Sequence, residues 1–111
     1  MKAWQYVEKG WCQGGLAIDN NGVQCSIFSN KAVAWCLIGA MMKVYSCRKR
    51  KMLYDKMYQF VSPQWDLVEW NDYHKRTKRQ VVALLKKVEG SGRLSDAHGG
   101  CRDPRPTTAA I

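Results

Sequence analysis

Histidine, acid residues and long apolar runs are all in short supply in this chain. Its two histidines, His74 and His98, stand 24 positions apart and make no ligand set for a metal. The five cysteines are odd in number and widely spaced, with no C-x-x-C pair. They predict reduced, mostly buried thiols in a cytoplasmic protein rather than a disulfide framework. Met1-Lys2-Ala3-Trp4-Gln5 lacks the apolar stretch of a secretory signal. The most apolar run, Ala32 to Met42, falls far short of the roughly 20 residues that cross a bilayer. No membrane partner, cofactor or metal is therefore expected. No catalytic motif stands out, and the chain is read as not an enzyme.

The few acids, nine against 18 basic residues, leave a net charge of +9. Almost all of it lies between Lys43 and Lys87. Twelve basic residues there face four acids, Asp55, Asp66, Glu69 and Asp72, for a local +8. Charge segregated in this way attracts phosphates, acidic proteins or anionic surfaces. It speaks to the partner and not to the fold.

At 111 residues the chain is long enough for one core without staples. The expected fold class is mainly α: a small single-domain helical bundle over residues 1–89, with a short β-hairpin or extended loop near the N-terminus. Residues 90–111, rich in Gly, Pro, Ser and Thr without periodicity, predict a disordered tail. Lys2 to Lys9 reads as a short amphipathic helix stopped by Gly10. Asn21-Gly22 is a strong hairpin signal, with Val23 to Phe28 as the returning strand. Ser29 or Asn30 caps a second helix running to about Lys51, apolar all round in its first half and so central. Trp35, Cys36 and Leu37 are expected in the core. Gly39-Ala40 gives a neighbour room for close approach. Met52 to Val61 forms a third helix, continuous with the second or beyond a kink, and Ser62-Pro63 stops it. Gln64 to Asp72 reads as a helical turn or a short strand. Thr77-Lys78-Arg79-Gln80 is a capping box opening a last helix to about Glu89.

Two basic groups carry the candidate site: Arg48, Lys49, Arg50 and Lys51, and then Lys75, Arg76, Lys78 and Arg79. Trp65 and Tyr73 flank them; Trp70 is expected in the core instead. Cations that neutralise phosphates beside rings that stack on bases are the ingredients of DNA or RNA binding. The competing reading is a solvated face over core aromatics, and a helix-turn-helix finds no convincing place in the sequence. Cations at a helix start oppose the macrodipole, so the second group asks for a nearby anion or acidic partner. Cys12 or Cys36 with His74 and Asp72 invites a nucleophile reading, but buried structural thiols are the stronger expectation. Asp19-Asn20-Asn21-Gly22 lacks the rest of a calcium loop and reads as a turn.

Three stretches belong together. They are Gly10-Trp11-Cys12-Gln13-Gly14-Gly15-Leu16-Ala17-Ile18-Asp19 with Gly22 after it, Ala32-Val33-Ala34-Trp35-Cys36-Leu37-Ile38-Gly39-Ala40, and Trp70-Asn71-Asp72, followed by Thr77. From Gly10 to Val88 this arrangement resembles a family of short bacterial and phage proteins of unknown function. The resemblance implies a mainly helical single domain and no established activity. By analogy it implies a protein that binds a host protein or nucleoprotein complex, for example as an inhibitor of a defence system such as a CRISPR nuclease complex. Direct DNA or RNA binding through the two basic groups is the alternative. The oligomeric state is left open.

Overall fold

In the computed structural model, which describes residues 1–90, local capping signals set most of the helix boundaries. The elements are α1 (Ala3–Lys9), β1 (Ala17–Ile18), β2 (Ala34–Trp35), α2 (Leu37–Val44), α3 (Cys47–Met57), α4 (Leu67–Asp72) and α5 (Lys78–Glu89). The mainly helical fold agrees with the sequence reading, and so do the bounds of α1 and α5. Thr77 and Gln80 cap α5 reciprocally, the Thr77 Oγ1 accepting from Gln80 N at 3.2 Å and the Gln80 Oε1 from Thr77 N at 3.0 Å. The expected tail lies outside the described residues. Among those described, no helix is long and apolar enough to cross a membrane.

The central helix does not begin at Asn30. Ala34 and Trp35 are extended and pair antiparallel with β1, Trp35 opposite Ala17 and Ala34 opposite Ile18. The other side of β2 meets the N-terminal segment: Trp35 N donates to Gly10 O at 3.0 Å and Cys12 N to Trp35 O at 3.3 Å. A run apolar on all sides fits a buried strand as well as a buried helix, so periodicity alone does not separate them. Cys36 then caps α2, its Sγ accepting from Gly39 N at 3.3 Å.

The hairpin is also rearranged. The turn forms, with Gly22 N donating to Asp19 O at 2.9 Å and Gly22 at φ 78°, a left-handed position that favours glycine. A single bridge joins Ile18 to Gln24, but the principal partner of β1 is β2. Tyr45 and Ser46 are both extended (ψ 150° and 164°). The expected continuous helix therefore breaks there, and Ser46 caps α3. Of Gln64 to Asp72, the part from Leu67 onward forms a helix, α4, whose cap Asp66 accepts from Val68 N at 2.7 Å.

α1 packs on α5 and α2, α2 on α4, and α3 on α5. Val7, Leu37, Met41, Leu53, Met57, Val81, Leu85 and Val88 are fully buried between them. Each such side chain contributes about 1.5–3 kcal/mol of hydrophobic stabilisation. Trp35 and Cys36 are buried as expected. Trp35 Nε1 donates to Ile27 O at 3.2 Å.

Two buried polar side chains fasten the periphery to this core. Asn71 is fully buried. Its Oδ1 accepts from Trp11 Nε1 at 2.8 Å and Leu37 N at 3.0 Å, and its Nδ2 donates to Cys12 O at 3.2 Å and Asp72 Oδ1 at 2.9 Å. Gln13 Nε2 reaches the Asn71 and Tyr73 carbonyls, and Gly14 N reaches Asp72 Oδ1 at 3.1 Å. The Trp11–Gly14 loop is thus latched to the end of α4. Glu89 serves α1: its carboxylate accepts from Ala3 N at 2.8 Å, Trp4 N at 3.0 Å and the Tyr45 hydroxyl. A carboxylate over the first turn of a helix both fills orphan donors and suits the dipole.

Candidate binding surface

The junction between α4 and α5 is built around Arg76. Tyr73 ends α4, and a turn closed by Arg76 N to Tyr73 O at 2.8 Å leads into the Thr77 cap. The turn folds Arg76 back. Its Nε donates to Trp70 O at 2.7 Å, and its guanidinium lies 3.9 Å from the Trp70 ring centroid and 5.3 Å from that of Tyr73. Trp65 meets Tyr73 edge-on at 5.6 Å, and the His74 ring lies 4.9 Å from Tyr73 on another side. Burial lowers the Arg76 pKa, partly offset by Tyr73. Trp65, Trp70 and Tyr73 are half-buried and His74 is exposed. Trp70 therefore packs against the core while only partly buried, and its ring also meets Arg76.

The sequence treats all the basic residues as projecting charges, and the structure divides them. Arg50 Nη1 donates to Tyr45 O at 2.9 Å, at the C-terminal end of α2. Arg76 takes the Trp70 carbonyl in the last turn of α4, and Lys78 Nζ takes the Glu8 carbonyl in the last turn of α1 at 2.9 Å. Each cation thus closes the negative end of a neighbouring helix, where orphan carbonyls and the dipole favour positive charge. This answers the objection to cations at the start of α5: two of the four serve other helices. Lys49 lies over the Tyr45 ring at 5.4 Å. Arg48, Lys51, Lys75 and Arg79 are exposed.

The two groups belong to different ends of α5. Lys49 and Arg50 gather at Tyr45, whose hydroxyl meets Glu89 at the end of α5. Lys78 and Arg79 begin that helix, and at about 1.5 Å per residue roughly 16 Å separates its first residue from Glu89.

The free thiols lie apart from this surface, whereas Cys47, which opens α3 beside Arg48, is disulfide-bonded, contrary to the expectation of reduced thiols. Cys12 is buried and donates to Gly15 O at 3.5 Å. Burial, then the neighbouring Cys36 and Asp72, push its pKa up to about 12. That keeps the thiol protonated, the opposite of an activated nucleophile. Cys36, buried at the start of α2, is raised as well, chiefly by burial. Asp72 Oδ1 is engaged by Asn71 and Gly14. Among the described residues, no group of three or more His, Cys, Asp or Glu side chains is placed to hold a metal. A polar cleft of about 350 Å³ opens beside Asp19, Asn20, Asn21, Asn30 and Lys31. Its Asp19 carboxylate already accepts from Asn21 N and Val23 N.

Asn71 and Glu89 escaped the sequence reading as organising residues. Asn71 lay inside the recognised Trp70-Asn71-Asp72 stretch without a role. Glu89 is an acid one helical turn past Leu85 on the apolar stripe of α5, a position where a charge needs a partner.

Fold and surface together define a small, mainly helical domain that carries its excess positive charge outward at two helix starts. The chain belongs to the family of unknown function DUF6197, whose model matches residues 2–90. No curated protein and no solved structure matches the chain.

Proposed function

We propose that this protein is a small binding protein without an enzymatic reaction of its own, docking through exposed basic side chains on an acidic protein or a nucleoprotein complex. The observation that carries this reading is the division of its cations. Arg50, Arg76 and Lys78 stabilise helix ends, and the exposed Arg48, Lys51, Lys75 and Arg79 have no such task among the described contacts. Exposed charge of one sign raises the encounter rate with an opposite surface. The high pKa of the Cys12 thiol weighs against nucleophilic chemistry.

The resemblance to short bacterial and phage proteins directs the search for the partner to host complexes. The test is capture of partners from bacterial lysate by the full chain, with and without nuclease treatment. A partner retained after nuclease supports an acidic protein target, and one released by nuclease supports a nucleic acid or nucleoprotein. No specific capture in either arm would overturn the reading. Direct binding of nucleic acid is the second reading, favoured by the arrangement of α2 and α3.

A further inference from the structure

α2 and α3 stand to each other as a holding helix and a presenting helix. α2 has eight residues, none of them exposed. Two extended residues, Tyr45 and Ser46, then redirect the chain into the eleven residues of α3. The turn sets α3 apart from α2 as a separate short helix, and in helix-turn-helix units it is the second of two such helices that enters the DNA major groove.

α3 is divided lengthwise. Leu53 and Met57 are buried, and Arg50 turns inward to Tyr45 O. Arg48, Lys51, Met52 and Asp55 are all exposed. Their spacing of i, i+3, i+4 and i+7 puts them on one face. The stripe begins with the two cations, and the partly covered Lys49 and Lys56 border it.

We infer that this face of α3 binds double-stranded DNA, with Arg48 and Lys51 leading into the major groove. The inference rests on the reading of the protein as a binder of an anionic partner, and it names that partner. Three considerations favour a duplex. A helix about 10–12 Å across fits a groove about 12 Å wide. The stripe carries the side-chain types that meet base edges there: Arg or Lys on guanine, Asp on the cytosine amine, and an apolar group on the thymine methyl. Single strands are held chiefly by stacking on open aromatic faces. Here the Trp70 face is occupied by Arg76, and Trp65 packs edge-on against Tyr73.

The experiment is fluorescence anisotropy of the full chain with a labelled mixed-sequence duplex of about 20 base pairs, enough for two half-sites, and with one of its strands alone. The account predicts duplex binding tighter than strand binding by about tenfold or more, weakening steeply with salt. Arg48→Glu with Lys51→Glu should weaken duplex binding about tenfold or more, while the urea midpoint stays near wild type. The milder Arg48→Ala with Lys51→Ala, also expected to weaken duplex binding about tenfold or more, covers the case in which charge reversal disturbs the fold. Equal binding of strand and duplex, or duplex binding unchanged in both variants, overturns the inference. Capture of a nuclease-resistant partner without duplex binding overturns the duplex and leaves the broader reading standing. Failure of both assays removes both.

Discussion

The indole N–H of Trp11 donates to Oδ1 of Asn71 at 2.8 Å across 60 residues of sequence, and that oxygen also accepts from Leu37 N, in the first turn of α2. One buried amide thereby joins the three stretches by which the chain resembles its family. Asn71→Ala leaves Trp11 Nε1, Leu37 N and Cys12 O without their partner. Each buried orphan costs about 1–3 kcal/mol, so a total loss near 3 kcal/mol or more is expected in urea denaturation. Asn71→Asp keeps both acceptor contacts but loses the donor to Cys12 O and sets a second carboxylate beside Asp72, so it too should be destabilising. A loss under about 1 kcal/mol in both variants would show that the latch is not what holds the loop.

Gly39 gives a second test, because two effects oppose each other there. Alanine in place of glycine inside an exposed helix gains about 1 kcal/mol from propensity. A Cβ on Gly39 would stand 2.0 Å from the Leu16 carbonyl oxygen, and a backbone atom cannot step aside as a side chain does. Overpacking of this kind costs about 1–3 kcal/mol or more. Gly39→Ala is therefore expected to lower the thermal midpoint, and a rise would contradict the close packing of α2 against the Leu16 backbone.

The alkaline limb of stability follows from buried groups held protonated. The Cys12 pKa rises from 9.0 to about 12 through burial and then the neighbouring Cys36 and Asp72, and that of Tyr54 from 10.0 to about 12, burial outweighing the opposing Arg50. Tyr45, buried and bonded to Glu89, is raised as well. A folded-state pKa above the unfolded value means that the native state keeps its proton longer. The stability contribution is whole below the unfolded pKa and is lost as pH rises through the folded one. The urea midpoint should thus fall between about pH 9 and pH 12, and Cys12→Ala should soften its onset. A flat midpoint across that window would contradict the burial of these groups.

How much was legible in the sequence depended on how far away the deciding partner lay. Helix α5 was legible because Thr77 and Gln80 cap it within one turn. The fate of Ala32 to Met42 was not, since strand and buried helix are equally apolar and the strand's partners, Ala17 and Ile18 on one side and Gly10 and Cys12 on the other, lie far off in sequence. The basic groups were found by composition. Their division was hidden, because the carbonyls taken by Arg76 and Lys78 become helix ends only once α4 and α1 have folded. Glu89 was missed for the same reason, its backbone donors lying 86 and 85 residues away.

The division of the cations is the central claim, and one paired measurement tests it: urea midpoint and partner capture, both read on two alanine sets. The sets are Arg48, Lys51, Lys75 and Arg79 together, and Arg50, Arg76 and Lys78 together. The first set should leave the midpoint near wild type and weaken capture about tenfold or more, equivalent to about 1.4 kcal/mol. The second should lower stability by about 2 kcal/mol or more, since each cation gives up a charge-assisted bond to a helix end and Arg76 also its place on Trp70. Undiminished capture by the first set, or a wild-type midpoint for the second, would contradict the account.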